Sequence, residues 1–374
     1  MDVAFLLLSA WVHDLDPYMI QLWEGGPIRW YGVSYLAGFV VAWLLMRWVA
    51  KAGGGPLKPS QAGDFVVVAA MGAMIGGRLG YCVFYDQSLF LRFESSVPFW
   101  GVLMVNQGGM ASHGGILGTI AAVLWFAYRN RLSARHLLDH TAFAAPLGLM
   151  FGRLANFVNG ELYGRPCAPD YPLAVKFPQE LHEQALDPVQ LQALTPAAEL
   201  LGTEASTWQT LIISLTSPDE SVWRTAAGQI RSMLTQMVVR VPDSPSMAEA
   251  LAPVLTPRHP SQLYAAASEG VVVMLILLWV WHKPRKPMVV GSWFALAYAL
   301  MRVLNERFRL PDAQFIASDG GLPLITRGQW LSLALFTVGI ITLVWASRSR
   351  QEPIAGWRGP VTPSKQPTNQ STTS

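Results

Sequence analysis

Seven stretches of this 374-residue chain carry few charges and read as continuous apolar runs: 28–48, 65–85, 116–128, 137–157, 263–281, 289–304 and 329–345. A bilayer hydrocarbon core of about 30 Å needs on the order of 20 predominantly apolar residues per helix, so each run reads as a membrane span, the third and sixth being the shortest candidates by hydropathy. Composition agrees: only 14% of residues are charged and 52% are hydrophobic, against roughly 25% charged residues in an ordinary soluble domain. With 15 Trp, 16 Phe and a mean hydropathy of +0.31, too little polar surface is left to cover a water-facing globule. A soluble enzyme, a disordered chain and a nucleic-acid binder are excluded, and the net charge of +3 gives no reason to expect a polyanionic partner. The expected class is an all-α polytopic membrane protein with seven transmembrane helices. Two cysteines, Cys82 and Cys167, make neither a disulfide framework nor a metal cluster and read as structural.

The short loops set an orientation. Arg47, Lys51 and Lys58 follow span one, Arg129, Arg131 and Arg135 follow span three, Lys283, Arg285 and Lys286 follow span five, and Arg348 and Arg350 follow span seven. By the positive-inside rule these segments are cytoplasmic, with the N-terminus outside and the C-terminus inside. The apolar run 5–8 lacks a basic region before it and reads as part of an external amphipathic segment rather than a cleavable signal. The linear division is 1–164 with spans one to four, 165–257 as a helical external insert, 258–350 with spans five to seven, and 351–374 as a disordered cytoplasmic tail rich in Ser, Thr, Pro and Gln. Within the insert, Ser217-Pro218-Asp219-Glu220 reads as an N-cap, a Pro at the first helical position and a Glu at the third, with Val222, Ile230, Met233, Leu234 and Met237 recurring near helical spacing.

Arginine near a helix centre costs about 2.5 to 3.5 kcal/mol on insertion scales, so Arg78, Arg153 and Arg302 need a reason to lie within spans. Arg302 and Glu306, at i and i+4, share a face; so do Arg153 and Asn156 at i and i+3. Snorkelling or helix-packing contacts are the alternative use of these groups, above all for Arg78. Arg307, Arg309 and Arg327 add positive charge to an external loop, where basic residues are otherwise scarce. Residues 106–115, with two Gly-Gly pairs and His113, form a turn at the water boundary; there an imidazole exchanges protons or simply packs. Trp30, Tyr31 and Tyr35 fit an aromatic belt. Arg258-His259-Pro260-Ser261-Gln262-Leu263-Tyr264 opens span five and suits either a helix start or a bound headgroup. No His-Glu-x-x-His, Walker loop or Gly-x-Ser-x-Gly elbow occurs, so no metal or nucleotide cofactor is expected. A lipid-modifying enzyme and a non-catalytic lipid or anion transporter both remain compatible with these residues; the external clustering of the polar groups favours the enzyme.

Taken together, several strings resemble the bacterial prolipoprotein diacylglyceryl transferases: Arg29-Trp30-Tyr31-Gly32, Gly76-Gly77-Arg78-Leu79-Gly80-Tyr81, Gln107-Gly108-Gly109-Met110 with His113-Gly114-Gly115, and the block from Gly152-Arg153-Leu154-Ala155-Asn156 through Gly160-Glu161-Leu162-Tyr163-Gly164-Arg165. The span-five motif, Tyr298, Arg302, Glu306 and Phe308-Arg309-Leu310-Pro311-Asp312-Ala313-Gln314 continue the likeness in order. The resemblance implies transfer of a diacylglyceryl group from phosphatidylglycerol to the lipobox cysteine of prolipoprotein signal peptides, in the bacterial cytoplasmic membrane, with the site facing outward. It assigns His113, Arg302, Glu306 and Glu161 to catalysis, and Arg153, Asn156, Gly164, Tyr31, Tyr298 and Arg309 to substrate binding. Three departures stand out. Ala265 follows Tyr264 where an acidic residue is common, leaving Glu269 further along; Ala155 and Tyr163 replace Gly and Trp; and the segment 178–257 is longer than the family's external arm.

Overall fold

The computed structural model describes residues 10–21, 27–95, 97–105, 108–183, 186–310 and 327–359. The expected amphipathic run 5–8, residues 106 and 107 of the glycine-rich turn, and 311–314 of the last motif lie outside them. In chain order the elements are β1 (Trp11–Val12), β2 (Tyr18–Gln21), β3 (Pro27–Arg29), α1 (Trp30–Lys51), α2 (Ala62–Phe84), α3 (Ser112–Asn130), α4 (Ala134–Val158), β4 (Val175–Lys176), a 3-10 turn (Pro178–His182), α5 (Pro188–Ala193), α6 (Thr195–Leu200), α7 (Ala205–Ser214), α8 (Glu220–Arg240), α9 (Pro245–Leu251), β5 (Pro257–Arg258), α10 (Ser261–Val280), α11 (Val289–Asn305) and α12 (Arg327–Arg348). Five of them, α1, α2, α4, α10 and α12, are long and apolar enough to cross a membrane, which makes this a polytopic helical membrane protein. Helix α11 is apolar but has 17 residues. Helix α3 has 19 and carries Ser112, His113, Arg129 and Asn130 at its ends.

The chain folds as two compact units, each assembled from separated segments. One comprises Met1–Tyr35, Met150–Ala267 and Arg302–Gln329. Its helical part closes over a core in which Trp208, Ile230, Met237 and Met247 are fully buried, and the Trp208 indole donates to the Leu191 carbonyl at 2.9 Å. The cap of α8 lies two residues later than its sequence suggests. Asp219, not Ser217, is the N-cap; its carboxylate accepts from the Ser221 N–H at 2.8 Å and the Ser221 hydroxyl at 2.7 Å, and these bonds hold it below the usual carboxylate range. Val222, expected on the core face, is exposed, whereas Ile230, Leu234 and Met237 are buried. The unit also departs from an all-α pattern. β1 pairs parallel with β4, and β4 antiparallel with β5, while β2 and β3 form a hairpin. Strands of two to four residues leave no alternation long enough to read in a sequence.

The other unit comprises Leu36–Leu149, Ser268–Met301 and Trp330–Ser374. Its core holds Met46, Phe65, Phe126, Phe143, Leu277 and Trp281, with Trp281 edge-on to Phe143 at 4.9 Å. Helices α2 and α3 meet along a glycine seam. A Cβ on Gly76 would lie 2.3 Å from the Gly114 carbonyl oxygen, one on Gly114 would lie 2.2 Å from that of Gly76, and one on Gly118 would lie 2.1 Å from that of Gly72. Four-residue spacing places Gly72, Gly76 and Gly80 on one face and Gly114 and Gly118 on the facing one, so the two backbones touch, as small-residue interfaces in membranes allow. Asp139, buried, caps α11 by accepting from the Met288 and Gly291 N–H groups at 2.7 Å each. The stretch expected as a tail from 351 opens with residues bonded to this unit. Ile354 and Arg285 exchange backbone hydrogen bonds, the Trp357 indole donates to the Leu278 carbonyl at 2.8 Å, and Trp357 packs on Trp48 at 4.9 Å. One isoleucine and one tryptophan supply the apolar contact that a composition dominated by Ser, Pro and Gln hides; residues 360–374 lie outside the described set.

Candidate active site

Within the first unit, the polar positions expected from sequence group around the end of α4 and the end of α11. Asn156, buried on the last turns of α4, donates from Nδ2 to the Tyr31 hydroxyl at 3.1 Å, and the Tyr31 ring packs on Tyr35 at 5.2 Å. Arg153, one turn earlier and half-buried, shares that helix face. The chain then turns sharply at Gly160, whose φ of +66° suits glycine. Glu161 follows: its N–H bonds the Asn156 carbonyl, and its exposed carboxylate accepts from Asn159 Nδ2 at 2.9 Å.

Gly164 sits where three segments converge. It bridges Arg309 in antiparallel fashion, its N–H donates to the His259 carbonyl at 3.0 Å, and the next N–H, of Arg165, donates to Phe308 at 2.8 Å. A Cβ at this position would stand 2.4 Å from the His259 oxygen and 2.6 Å from the Phe308 oxygen. No other residue fits unless the segments separate. The Arg165 guanidinium adds a bond to the Arg309 carbonyl at 3.0 Å, which ties this node to the end of α11.

At that helix end, Arg302 Nη1 lies 3.4 Å from Glu306 Oε2, with both side chains largely buried. A Cβ on Gly328, at the start of α12, would be 3.0 Å from Glu306 Oε1, so the carboxylate lies directly against that first turn. A carboxylate at this distance orients the guanidinium. The described residues hold no group of three or more His, Cys, Asp or Glu side chains arranged for a metal.

His113 and Tyr298 belong to the second unit. His113 is the second residue of α3 and exposed; the Ala111 N–H bonds the Gly77 carbonyl at 2.9 Å and the glycine seam fixes that helix end. Tyr298 is half-buried on α11 and stacks on Phe294 at 5.7 Å. In α10, residues Ala266–Val272 form a π-helical turn that carries the fully buried Glu269; such turns recur at functional positions.

Two readings left open by the sequence narrow. Arg78 directs Nε to Val102 O, Nη1 to the carbonyls of Gly108 and Gly109, and Nη2 to those of Gly101 and Met104, at 2.6 to 3.2 Å. All five of its N–H groups are thus used on backbone, which makes it a loop anchor rather than a ligand. Arg258, in the span-five motif, is likewise engaged internally. Its Nε donates to the buried Glu180 at 2.6 Å, its Nη1 to the Gly164 carbonyl at 3.3 Å, and its guanidinium lies over the Tyr163 ring at 4.8 Å. The second Glu180 oxygen accepts from the Thr256 N–H at 2.6 Å. Burial and the bond from its hydroxyl to Glu183 at 2.6 Å raise the Tyr163 phenol above its ordinary range, and partial burial lowers His259. Sequence reasoning missed Glu180 because nothing local marks it: its partner is 78 residues away.

These features define a polytopic membrane protein with an arginine–carboxylate pair at one helix end and three converging backbone segments beside it. Residues 17–345 match the family model of prolipoprotein diacylglyceryl transferase, and the chain belongs to that family. It is 45% identical to the phosphatidylglycerol–prolipoprotein diacylglyceryl transferase of Bdellovibrio bacteriovorus over 350 residues, 93% of this chain and 97% of that one. Proteins of the same name from Rhodospirillum rubrum, 33% identical over 92% of this chain and 97% of theirs, and Yersinia enterocolitica, 34% identical over 89% and 94%, are also similar to it.

Proposed function

We propose that this chain is an enzyme that moves the diacylglyceryl group of phosphatidylglycerol onto the lipobox cysteine thiol of prolipoproteins, the first step of lipoprotein maturation. The observation that carries this reading is its 45% identity, over 93% of its length, to a relative named for that transfer. In the step, the sulfur attacks the terminal glyceryl carbon and forms a thioether; the carbon–oxygen bond breaks and its electron pair leaves with glycerol phosphate. The thiol proton passes to a base.

His113 is the proposed base. An imidazole is the side chain that most often accepts a proton in such a step. Arg153 and Arg302 meet the charge that develops on the leaving phosphate, and Glu306 orients Arg302, which their 3.4 Å separation supports. Glu161 completes the catalytic group, while Tyr31, Asn156, Gly164, Tyr298 and Arg309 hold substrate. The seven apolar stretches all coincide with helices, and the basic loops after each odd-numbered one support seven crossings with the N-terminus outside, the insert external, and the site opening to the outer side of the bacterial cytoplasmic membrane.

The test is reconstitution of the full chain with glycerol-labelled phosphatidylglycerol and a lipobox peptide. Thioether formation is expected, absent with a Cys→Ser peptide and reduced about a hundredfold or more by Arg302→Ala. A folded wild type that transfers nothing from any anionic phospholipid overturns the reading.

A further inference from the structure

We infer that the connection between α2 and α3, over its described residues 86–95 and 97–105, is a plate that lies in the headgroup–acyl boundary of the bilayer, with Arg78 as its internal scaffold. The outward side chains are large and apolar: Leu91, Val97 and Phe93 are 84%, 78% and 72% exposed, and Phe99, Leu103 and Val105 are also open. In water such a surface is costly. It follows in the chain directly on α2, where Val67, Met71, Ile75, Leu79, Val83 and Phe84 stand exposed along a helix apolar enough to cross a membrane. Exposed apolar side chains on a spanning helix face lipid tails.

A non-helical segment enters lipid at lower cost when its backbone polar groups are satisfied from within, and several carbonyls of this connection and of the glycine turn after it are taken up in an unusual way. The five Arg78 N–H groups take up the carbonyls of Gly101, Val102, Met104, Gly108 and Gly109. The Trp100 indole takes up Phe90 O at 3.0 Å, the Glu94 N–H bonds Phe99 O and the Gly101 N–H bonds Arg92 O, both at 2.8 Å. Arg92 and Glu94 neutralise one another at 2.5 Å. Beneath the plate Cys82, Leu89 and Val102 form a buried inner layer, so the outer side chains are held outward rather than free to collapse inward. The inference rests on the membrane reading and not on the transferase activity.

The test places single cysteines at Leu91→Cys and Val97→Cys, with Cys82→Ala and Cys167→Ser to clear the background, and a third at Ser232→Cys on the exposed face of α8. Each carries an environment-sensitive fluorophore in the full chain, reconstituted in vesicles of phosphatidylglycerol and phosphatidylcholine. Labels at 91 and 97 are expected to be quenched several-fold more by a lipid with a nitroxide near its headgroup than by aqueous iodide, and the label at 232 the reverse. Iodide quenching at 91 and 97 equal to that at 232 overturns the proposal, as does shielding from both quenchers, which marks a protein covering the face. In the same background Arg78→Met is expected to raise iodide access at both positions severalfold. Unchanged access in a folded variant removes Arg78 from the scaffold role.

Discussion

Gly164→Ala is the sharpest local test of the node that joins the end of α4, the span-five motif and the end of α11. The new methyl group meets two backbone oxygens, His259 O at 2.4 Å and Phe308 O at 2.6 Å, where contacts under 3.0 Å are essentially never seen. Neither obstacle is a side chain that rotates away, so the segments must withdraw by roughly half an ångström, a displacement that overpacked sites typically resolve at a cost of about 1 to 3 kcal/mol. The same oxygens accept the Gly164 N–H at 3.0 Å and the Arg165 N–H at 2.8 Å, and stretching both bonds past useful length forfeits about 1 kcal/mol each. The expected destabilisation is therefore about 3 to 5 kcal/mol, concentrated where Arg309 pairs with Gly164. Because small misplacements of positioning groups cost on the order of a hundredfold in rate, kcat/KM for labelled phosphatidylglycerol and a lipobox peptide is expected to fall by about that factor, alongside a lowered thermal inactivation temperature. A variant that retains kcat/KM within twofold and inactivates at the wild-type temperature refutes the steric argument.

Other consequences are equally direct. Glu180→Ala strands the nearly buried Arg258 guanidinium and the Thr256 N–H; a loss of about 3 to 5 kcal/mol is expected in denaturant or thermal unfolding, and the double variant Glu180→Leu with Arg258→Met is expected to recover most of it. His13 is buried among the rings of Trp11, Phe157 and Phe177, and desolvation lowers its pKa. Its contribution to stability is complete above the ordinary imidazole value of about 6.5 and lost as pH falls through that value towards the depressed one. Thermal scans across that window should show a steeper acid loss in the wild type than in His13→Phe, and equal slopes would contradict the burial account. Gly114→Val drives a branched side chain into the Gly76 carbonyl and the Gly80 Cα; folded yield in detergent is expected to collapse, whereas Gly148→Ala, where nothing lies within 4 Å, leaves it intact.

Much of this molecule is legible without coordinates because membrane insertion is written locally. A helix across a bilayer needs a contiguous apolar run and basic residues beside it, and both are one-dimensional quantities, so a helix stands at each expected stretch and Arg302 faces Glu306 as their four-residue spacing requires. The family strings fall at positions where backbone and side chain have few alternatives, as at Gly164. Other features are decided between segments far apart in the chain. Glu180 finds Arg258 across 78 residues and Asp139 caps a helix that starts 150 residues later; no local pattern announces either. Arg78 looks the same in sequence whether it binds an anion or five carbonyls, since only the path of the loop from 101 to 109 supplies the acceptors. The short strands, the docked residues after 350 and the glycine seam follow the same logic. Hydropathy and spacing determine which segments become helices, while pairing of polar groups and contact between backbones depend on distances that exist only once the chain has folded.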